Sequence, residues 1–270
     1  MLVAMTAREE WKKTKTIYYK DELNDDFDDV GVRKYVIPKN YQYIRKNPFK
    51  IAWGGFLYYC IGKPILALYC FFHGVRVKNR RNLKRLRGKG YFIYANHVAI
   101  ADVVKYMAIV VNRRLETVAY ANALSIPVAK HIIKSCGFTP LPSEDDQVNW
   151  MKFHEDMKFY IEHKHAILIF PEAHIWPYYT KIRPFVNSSF YYPAVNNAPI
   201  VPMVTVWRGK KGSKRPPKQT IVIGKPIFPD PELSLNENKQ YLRDACYEQM
   251  VRIAEKYDQP EYIKYIKVEE

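Results

Sequence analysis

Tyr91-Phe92-Ile93-Tyr94-Ala95-Asn96-His97-Val98-Ala99-Ile100-Ala101-Asp102 is the stretch on which the reading of the chain turns. Its first four residues are aromatic or β-branched and have the length of a strand. They run straight into Asn96 and His97, so the strand carries polar side chains to the edge of a sheet, where reactive groups are commonly presented. A histidine can take a proton near neutral pH, and an aspartate can hold its ring in one tautomer and stabilise the imidazolium. Asp102 stands five residues beyond His97. That is too far for i, i+3 or i, i+4 neighbours on one helix. It suits a histidine in the turn and an aspartate in the first turn of a following helix. Taken alone, such a pair also suits a hydrogen-bonded structural histidine.

Two further blocks follow in order. Ala166–Phe170, AILIF, reads as a buried strand that ends at Pro171, which cannot donate to a ladder, and delivers Glu172 to the same edge. Ala198-Pro199-Ile200-Val201-Pro202-Met203 opens a third apolar strand. Together the blocks resemble the glycerolipid acyltransferase family of the lysophosphatidate acyltransferase type. Asn96, His97 and Asp102 fit its N-H-x4-D motif, Phe170-Pro171-Glu172-Ala173 approaches its F-P-E-G, and residues 198–203 match its apolar V-P block. The resemblance covers roughly Tyr91 to Pro229.

The resemblance implies an α/β fold with a single mixed sheet flanked by helices, glycerol-phosphate acyltransferase-like. It implies His97 as general base, Asp102 as its orienting partner, and Asn96 and Glu172 in the substrate site. The acyl donor would be a thioester on coenzyme A or acyl carrier protein, with no further cofactor and no metal. The family's second motif normally ends in an arginine that grips the substrate phosphate. Here that place is Leu141-Pro142-Ser143-Glu144, without an arginine, which points toward an acceptor other than a phosphate monoester. Lys181 and Arg183, in the basic segment after the third motif, are expected to supply phosphate-binding charge instead. Ala173 stands where the family has glycine; small size is kept, but a positive φ is no longer cheap.

Composition agrees with an anionic partner. The 270 residues carry 43 Lys and Arg against 27 Asp and Glu, a formal net charge of +16, which favours phosphate-bearing substrates, acidic lipid or nucleic acid. Cys60, Cys70, Cys136 and Cys246 lack paired spacing and read as buried thiols in a reducing compartment rather than a disulfide frame or zinc site. The apolar run at the MLVAMTAREE start is only five residues long before polar and charged residues set in, too short for a signal peptide.

Residues 49–74 hold two apolar runs separated by Lys63-Pro64. Each run is shorter than the ~20 residues a helix needs to cross a bilayer. A mid-span lysine costs about 2.5–3.5 kcal/mol, and proline breaks or kinks a helix. The expectation is a broken helix or helical hairpin dipping into one leaflet, with a buried core pair and a tilted span as alternatives. Arg76, Lys78, Arg80, Arg81, Lys84, Arg85, Arg87 and Lys89 follow without an acidic residue, as binding to an anionic bilayer requires. The adjoining apolar segment argues for membrane lipids and against nucleic acid as the partner.

Three regions result: a polar arm over 1–45 with little hydrophobic period, a membrane-anchoring segment over 46–75, and an acyltransferase domain over 76–270. Helices are expected over 103–112, 127–136, 147–164, 190–195 and 242–257, and strands over 117–121, 200–207 and 219–223. The functional expectation is a membrane-associated enzyme at the cytoplasmic face, moving an acyl chain from a thioester to a lysophospholipid hydroxyl, with 1-acyl-glycerol-3-phosphate as the leading acceptor. The alternatives are a different lysolipid, glycolipid or amine acceptor, and a non-catalytic basic membrane-binding protein.

Overall fold

The computed structural model describes residues 14–27, 35–39, 41–44, 47–99, 101–110, 113–125 and 133–268. Strand β1 (Thr16–Tyr19) belongs to a two-stranded sheet, described below. The main sheet is built from β2 (Arg76–Lys78), β3 (Tyr91–Ala95), β4 (Leu115–Tyr120), β5 (Phe138–Leu141), β6 (Ala166–Ile169), β7 (Ile200–Arg208) and β8 (Lys218–Ile223), in the order β2-β8-β7-β3-β6-β4-β5. β3 lies between β6 and β7 and is parallel to both. It is buried on both faces, which explains a run with no polar alternation. β7 and β8 pair antiparallel and make the sheet mixed.

The two faces of β3 serve two cores. Tyr91, Ile93 and Ala95 pack with Tyr58 of helix α1 (Pro48–Phe72) and with Tyr106 and Met107 of α2 (Asp102–Ile109). Phe92 and Tyr94 pack on the other side with Phe153 and Met157 of α3 (Gln147–Glu162), Tyr192 of α4 (Tyr191–Val195), and Leu242, Cys246 and Met250 of α5 (Leu235–Glu255). The expected α/β sheet flanked by helices is therefore present. α5 starts earlier than its apolar pattern indicates, because Ser234 and Glu237 form a capping box that satisfies its first free N–H groups. The helix expected over 127–136 lies mostly outside the described residues. It ends before Gly137, whose φ of +83° and whose close approach to the Leu115 carbonyl exclude a side chain.

α1 departs from the expectation of a break or hairpin. It is capped by Asn47, whose side chain accepts from the Lys50 N–H at 3.2 Å, and runs helically for 25 residues. Leu57–Gly62 is a π-helical turn. A widened turn just before Pro64 accommodates the missing N–H without reversing the chain. By length and composition α1 could cross a bilayer. One face docks at four-residue intervals. Gly54 and Tyr58 are buried, a Cβ on Gly62 would lie 2.6 Å from the end of Met107, and Leu66 packs on the core. The Tyr58 hydroxyl accepts the Leu115 N–H at 2.8 Å and so closes the start of β4. The opposite face leaves Phe49, Trp53 and Phe71 at 86%, 60% and 76% exposure. Cys60 is exposed on this helix; of the four cysteines only Cys246 is fully buried.

Part of the arm over 1–45 is also structured. β1 pairs in parallel with β9 (Lys264–Lys267). The segment after β1 lies on the loop that follows β6: the Trp176 indole donates to the Asp25 carbonyl at 2.7 Å, and Phe27 N–H bonds Ile175 O at 3.3 Å.

Candidate active site

The site forms where β3 and β6 end side by side. The chain leaves β3 at Asn96, turns, and enters α2 at Asp102, as the five-residue spacing implied. Asp102 organises the turn. Its Oδ2 accepts the backbone N–H groups of Val98 and Ala99, both at 2.8 Å, and lies 3.4 Å from Nδ1 of His97. With Nδ1 turned to a carboxylate, the imidazole keeps its proton there, and Nε2 carries the lone pair. The His97 ring stacks on Phe170, the last residue before Pro171, with centroids 4.1 Å apart. The ring is thus fixed on one edge by charge and on one face by packing, and it is 6% exposed.

Asn96 is a staple. Its amide donates to the Thr205 carbonyl at 3.1 Å and accepts the Thr205 N–H at 2.8 Å, which ties the turn to β7. Both arms of the amide are therefore spent on backbone, and the substrate contact expected of Asn96 is not what its geometry provides. Glu172 is likewise turned inward. Its Oε2 accepts the His97 N–H at 3.1 Å and its Oε1 accepts the Arg183 N–H at 3.0 Å. It is 3% exposed and joins two loops rather than facing solvent. The backbone N–H groups of residues 97, 98 and 99 are all taken by these two carboxylates.

Arg183 completes the same inward network. It is fully buried under Trp176, with the guanidinium carbon 4.8 Å from the indole centroid. Its Nη1 donates to Glu22 O at 3.0 Å, and its Nη2 donates to the carbonyls of Glu172 and His174. The guanidinium is thereby engaged by the protein itself, where the sequence suggested a substrate phosphate. Lys181, two residues earlier, is exposed.

Lys105 and Thr205 were not singled out from sequence. Lys105 is fully buried and pairs with Oδ1 of Asp102; its ammonium also donates to Thr205 Oγ1 and Gln219 Oε1, both at 3.1 Å. Tyr106 shares the Thr205 hydroxyl at 3.3 Å. One signal was present in the sequence: a lone lysine three residues after Asp102 on an otherwise apolar helix.

The electrostatics follow. Burial pushes the Asp102 carboxyl up, but Lys105 and His97 outweigh it, and the group is held below the ordinary carboxylate range. For Glu172 burial prevails over Arg183 and the two backbone donors, and the carboxyl is held above its ordinary value. Asp102 is the permanent anion beside the imidazole. The arrangement can accept a proton at His97 Nε2 and stabilise the imidazolium that results.

The surroundings connect the turn to the docked helix. The Tyr69 phenol of α1 is within electrostatic reach of both Asp102 and the Tyr178 hydroxyl. Tyr178 N–H bonds Val98 O at 3.1 Å. The His97–Asp102 turn therefore sits beside the C-terminal end of the apolar helix.

Comparison with known proteins agrees with this picture. No curated protein matches the sequence. Among solved structures the chain is similar to the crystal structure of the 1-acyl-sn-glycerophosphate (LPA) acyltransferase PlsC from Thermotoga maritima, with a TM-score of 0.52 and 16% identity, over 77% of this chain and 89% of that one. At that identity the likeness speaks to the fold. The model of the family described as Acyltransferase matches residues 74–206, the span from the end of α1 through β7. Through these residues the chain belongs to the acyltransferase family.

Proposed function

We propose that this acyltransferase works at a membrane face, moving an acyl chain from a thioester of coenzyme A or acyl carrier protein to a hydroxyl of a lysophospholipid, with 1-acyl-glycerol-3-phosphate as the leading acceptor. The observation that carries the reading is the His97–Asp102 pair, 3.4 Å apart at the end of a central strand beside the apolar helix. The PlsC structure, titled a 1-acyl-sn-glycerophosphate acyltransferase, supports the choice of acceptor.

In this mechanism Nε2 of His97 takes the proton of the acceptor hydroxyl as its oxygen attacks the thioester carbonyl. The tetrahedral intermediate collapses, the carbon–sulfur bond breaks, and the imidazolium returns the proton to the departing thiolate. Asp102 stabilises the imidazolium throughout, as in a triad whose nucleophile comes from the substrate. General-base catalysis of this kind contributes about 10²–10⁴-fold. Asn96, Glu172 and Arg183 keep the turn in place and are positioning residues.

α1 supports membrane association. Its docked stripe holds it along the domain, while Phe49, Trp53, Phe71 and Phe72 on the other side stay exposed. Such a face suits burial at the boundary of headgroups and acyl chains, with aromatic rings at the interface. The exposed basic residues from Arg76 to Lys89 add attraction to anionic lipid.

A second reading concerns the acceptor. Residues 141–144 offer no arginine, and Arg183 is engaged with Glu172. Both facts favour an acceptor without a phosphate monoester. The test is a panel of lyso-acceptors, lysophosphatidate among them, presented in vesicles with acyl-CoA. Transfer to lysophosphatidate supports the first reading, and transfer only to other lysolipids or amines supports the second. A His97→Ala enzyme that still transfers at near the wild-type rate would refute the base assignment.

A further inference from the structure

Beyond β7 the hairpin to β8 opens into a cleft of about 400 Å³, lined by Arg208, Lys210, Arg215, Lys218, Glu261 and Tyr262 among others. That size is ordinary for a small-ligand site. Four of these six side chains are cationic and one is acidic, and Lys210, Arg215 and Lys218 are exposed. Arg208 is the partly buried one. Its Nη2 donates to the Gly74 carbonyl at the end of α1, while its Nε is buried without a hydrogen-bond partner among the described residues. A buried guanidinium N–H left unpaired is costly. Burial and the like charge of Arg76 also push this guanidinium's pKa down. An anion in the cleft would offset that like charge.

The position of the cleft narrows the anion's identity. Thr205, which holds Asn96 of the catalytic turn, lies three residues before Arg208. On an extended strand that is about 10 Å. One aromatic layer separates the cleft from the turn. Tyr262 packs against Tyr178 at a tilt, with centroids 4.7 Å apart, Trp207 packs on the same ring at 4.7 Å, and the Tyr178 N–H bonds the Val98 carbonyl. A phosphate on the carbon next to the reacting hydroxyl could not reach both His97 and this cleft. A thioester donor whose leaving group carries its phosphates at the far end of a long, flexible arm could.

We propose that the β7–β8 hairpin cleft is the phosphate subsite for the leaving group of the acyl donor, and that it takes the phosphates of a coenzyme A thioester. Arg208 supplies part-buried charge, Lys210, Arg215 and Lys218 supply exposed charge, and Tyr262 supplies a flat ring beside them. The proposal rests on the acyl-transfer reading above and fixes which donor that reaction uses.

The test compares acyl-CoA with the same acyl group on pantetheine, which lacks the nucleotide phosphates, for the full chain and its Lys210→Ala/Arg215→Ala variant. Both positions are exposed, so the substitution leaves the fold in place; circular dichroism checks this. In the wild type, kcat/KM should favour acyl-CoA, and the variant should lose about tenfold or more of that preference, the worth of one or two charge-assisted contacts. The loss should lie in KM for the donor. Titration of free coenzyme A by calorimetry should show the same weakening without any turnover.

An unchanged preference overturns the proposal. If the variant also binds phosphatidylglycerol vesicles less well, the cleft holds a lipid headgroup instead. A wild type that uses acyl carrier protein and ignores acyl-CoA overturns it as well. If the wild type transfers no acyl group from any donor, the acyl-transfer reading fails by itself, and calorimetry still decides whether the cleft binds coenzyme A.

Discussion

Lys105 and His97 divide the Asp102 carboxylate between them: the lysine ammonium pairs with Oδ1, and the imidazole Nδ1 faces Oδ2 at 3.4 Å. The trio is neutral while His97 is neutral and carries one positive charge when His97 is protonated. Lys105 therefore keeps Asp102 ionised in a fully buried position.

Removing the lysine should leave an uncompensated buried charge. Lys105→Met is expected to cost about 3–5 kcal/mol of stability, read by urea denaturation at neutral pH. The sign of the pH dependence can be worked out. Asp102 is held below its ordinary value of 3.8, so its contribution is present above that value and disappears as pH falls through the lowered folded value. Without Lys105 the folded carboxyl rises, so the variant's deficit should be largest at neutral pH and should shrink as pH falls and the buried charge is protonated.

The orienting role proposed for Asp102 is tested in a Lys105→Met background, where no buried ammonium is left facing the new amide. Asp102→Asn keeps an oxygen for the Val98 and Ala99 N–H groups but no longer stabilises an imidazolium. It should lower kcat by about 10²–10⁴-fold with far-ultraviolet circular dichroism unchanged. Retention of more than a tenth of the Lys105→Met kcat would count against the base mechanism.

Ala173 holds a left-handed backbone, with φ at +60°, between Glu172 and His174. A non-glycine residue there costs roughly 1–2 kcal/mol, partly offset by the lower unfolded-state entropy of alanine. Ala173→Gly should raise stability by about 0.5–1 kcal/mol in chemical denaturation.

Asp156, far from the catalytic turn, gives a second pH signature. It is 4% exposed, and its Oδ2 has no hydrogen-bond partner among the described residues. Burial, with Glu155 and Glu116 nearby, pushes its carboxyl up to about 7. The folded state therefore holds this proton more tightly than the unfolded chain. The resulting stability is present below the ordinary 3.8 and is lost as pH rises through about 7. Asp156→Asn should flatten the fall in stability from weakly acid to weakly alkaline pH, on the order of 1–3 kcal/mol, as read by urea midpoints.

The exposed face of α1 and its docked face should respond differently. Changing Phe49, Trp53, Phe71 and Phe72 to serine should release the protein from anionic vesicles by at least about tenfold, measured by co-sedimentation. Tyr58→Phe leaves the Leu115 N–H unpaired in a buried place and should cost about 1–3 kcal/mol of stability while vesicle binding persists.

The strands were legible because a parallel strand buried on both faces has to be apolar throughout, and Tyr91–Ala95 and Ala166–Ile169 have no other plausible role. The His97–Asp102 geometry was legible because the turn is local. The inward roles of Glu172 and Arg183 were not, since each depends on partners brought together by the fold: Glu172 meets His97 across 75 residues and Arg183 meets Glu22 across 161. Lys105 was passed over because a lysine on a helix is ordinarily solvated. The π-helical turn leaves no mark in the apolar pattern, and the pairing of Thr16–Tyr19 with Lys264–Lys267 joins two four-residue segments, each too short to carry a periodic signal of its own.

That pairing bears on when the enzyme becomes competent during its synthesis. A ribosome that has reached residue 230 has already made His97, Asp102, Lys105, Glu172 and Arg183, together with the whole of the apolar helix α1. The loop holding Glu172 still lacks part of its support, because Trp176 stacks on Tyr265 with centroids 5.0 Å apart and the Tyr265 hydroxyl donates to the Pro177 carbonyl at 2.8 Å. On the proposed membrane reading, the nascent chain meets the bilayer before the loop holding Glu172 is locked, and truncations upstream of residue 264 should yield a protein that arrives at the bilayer but turns over poorly.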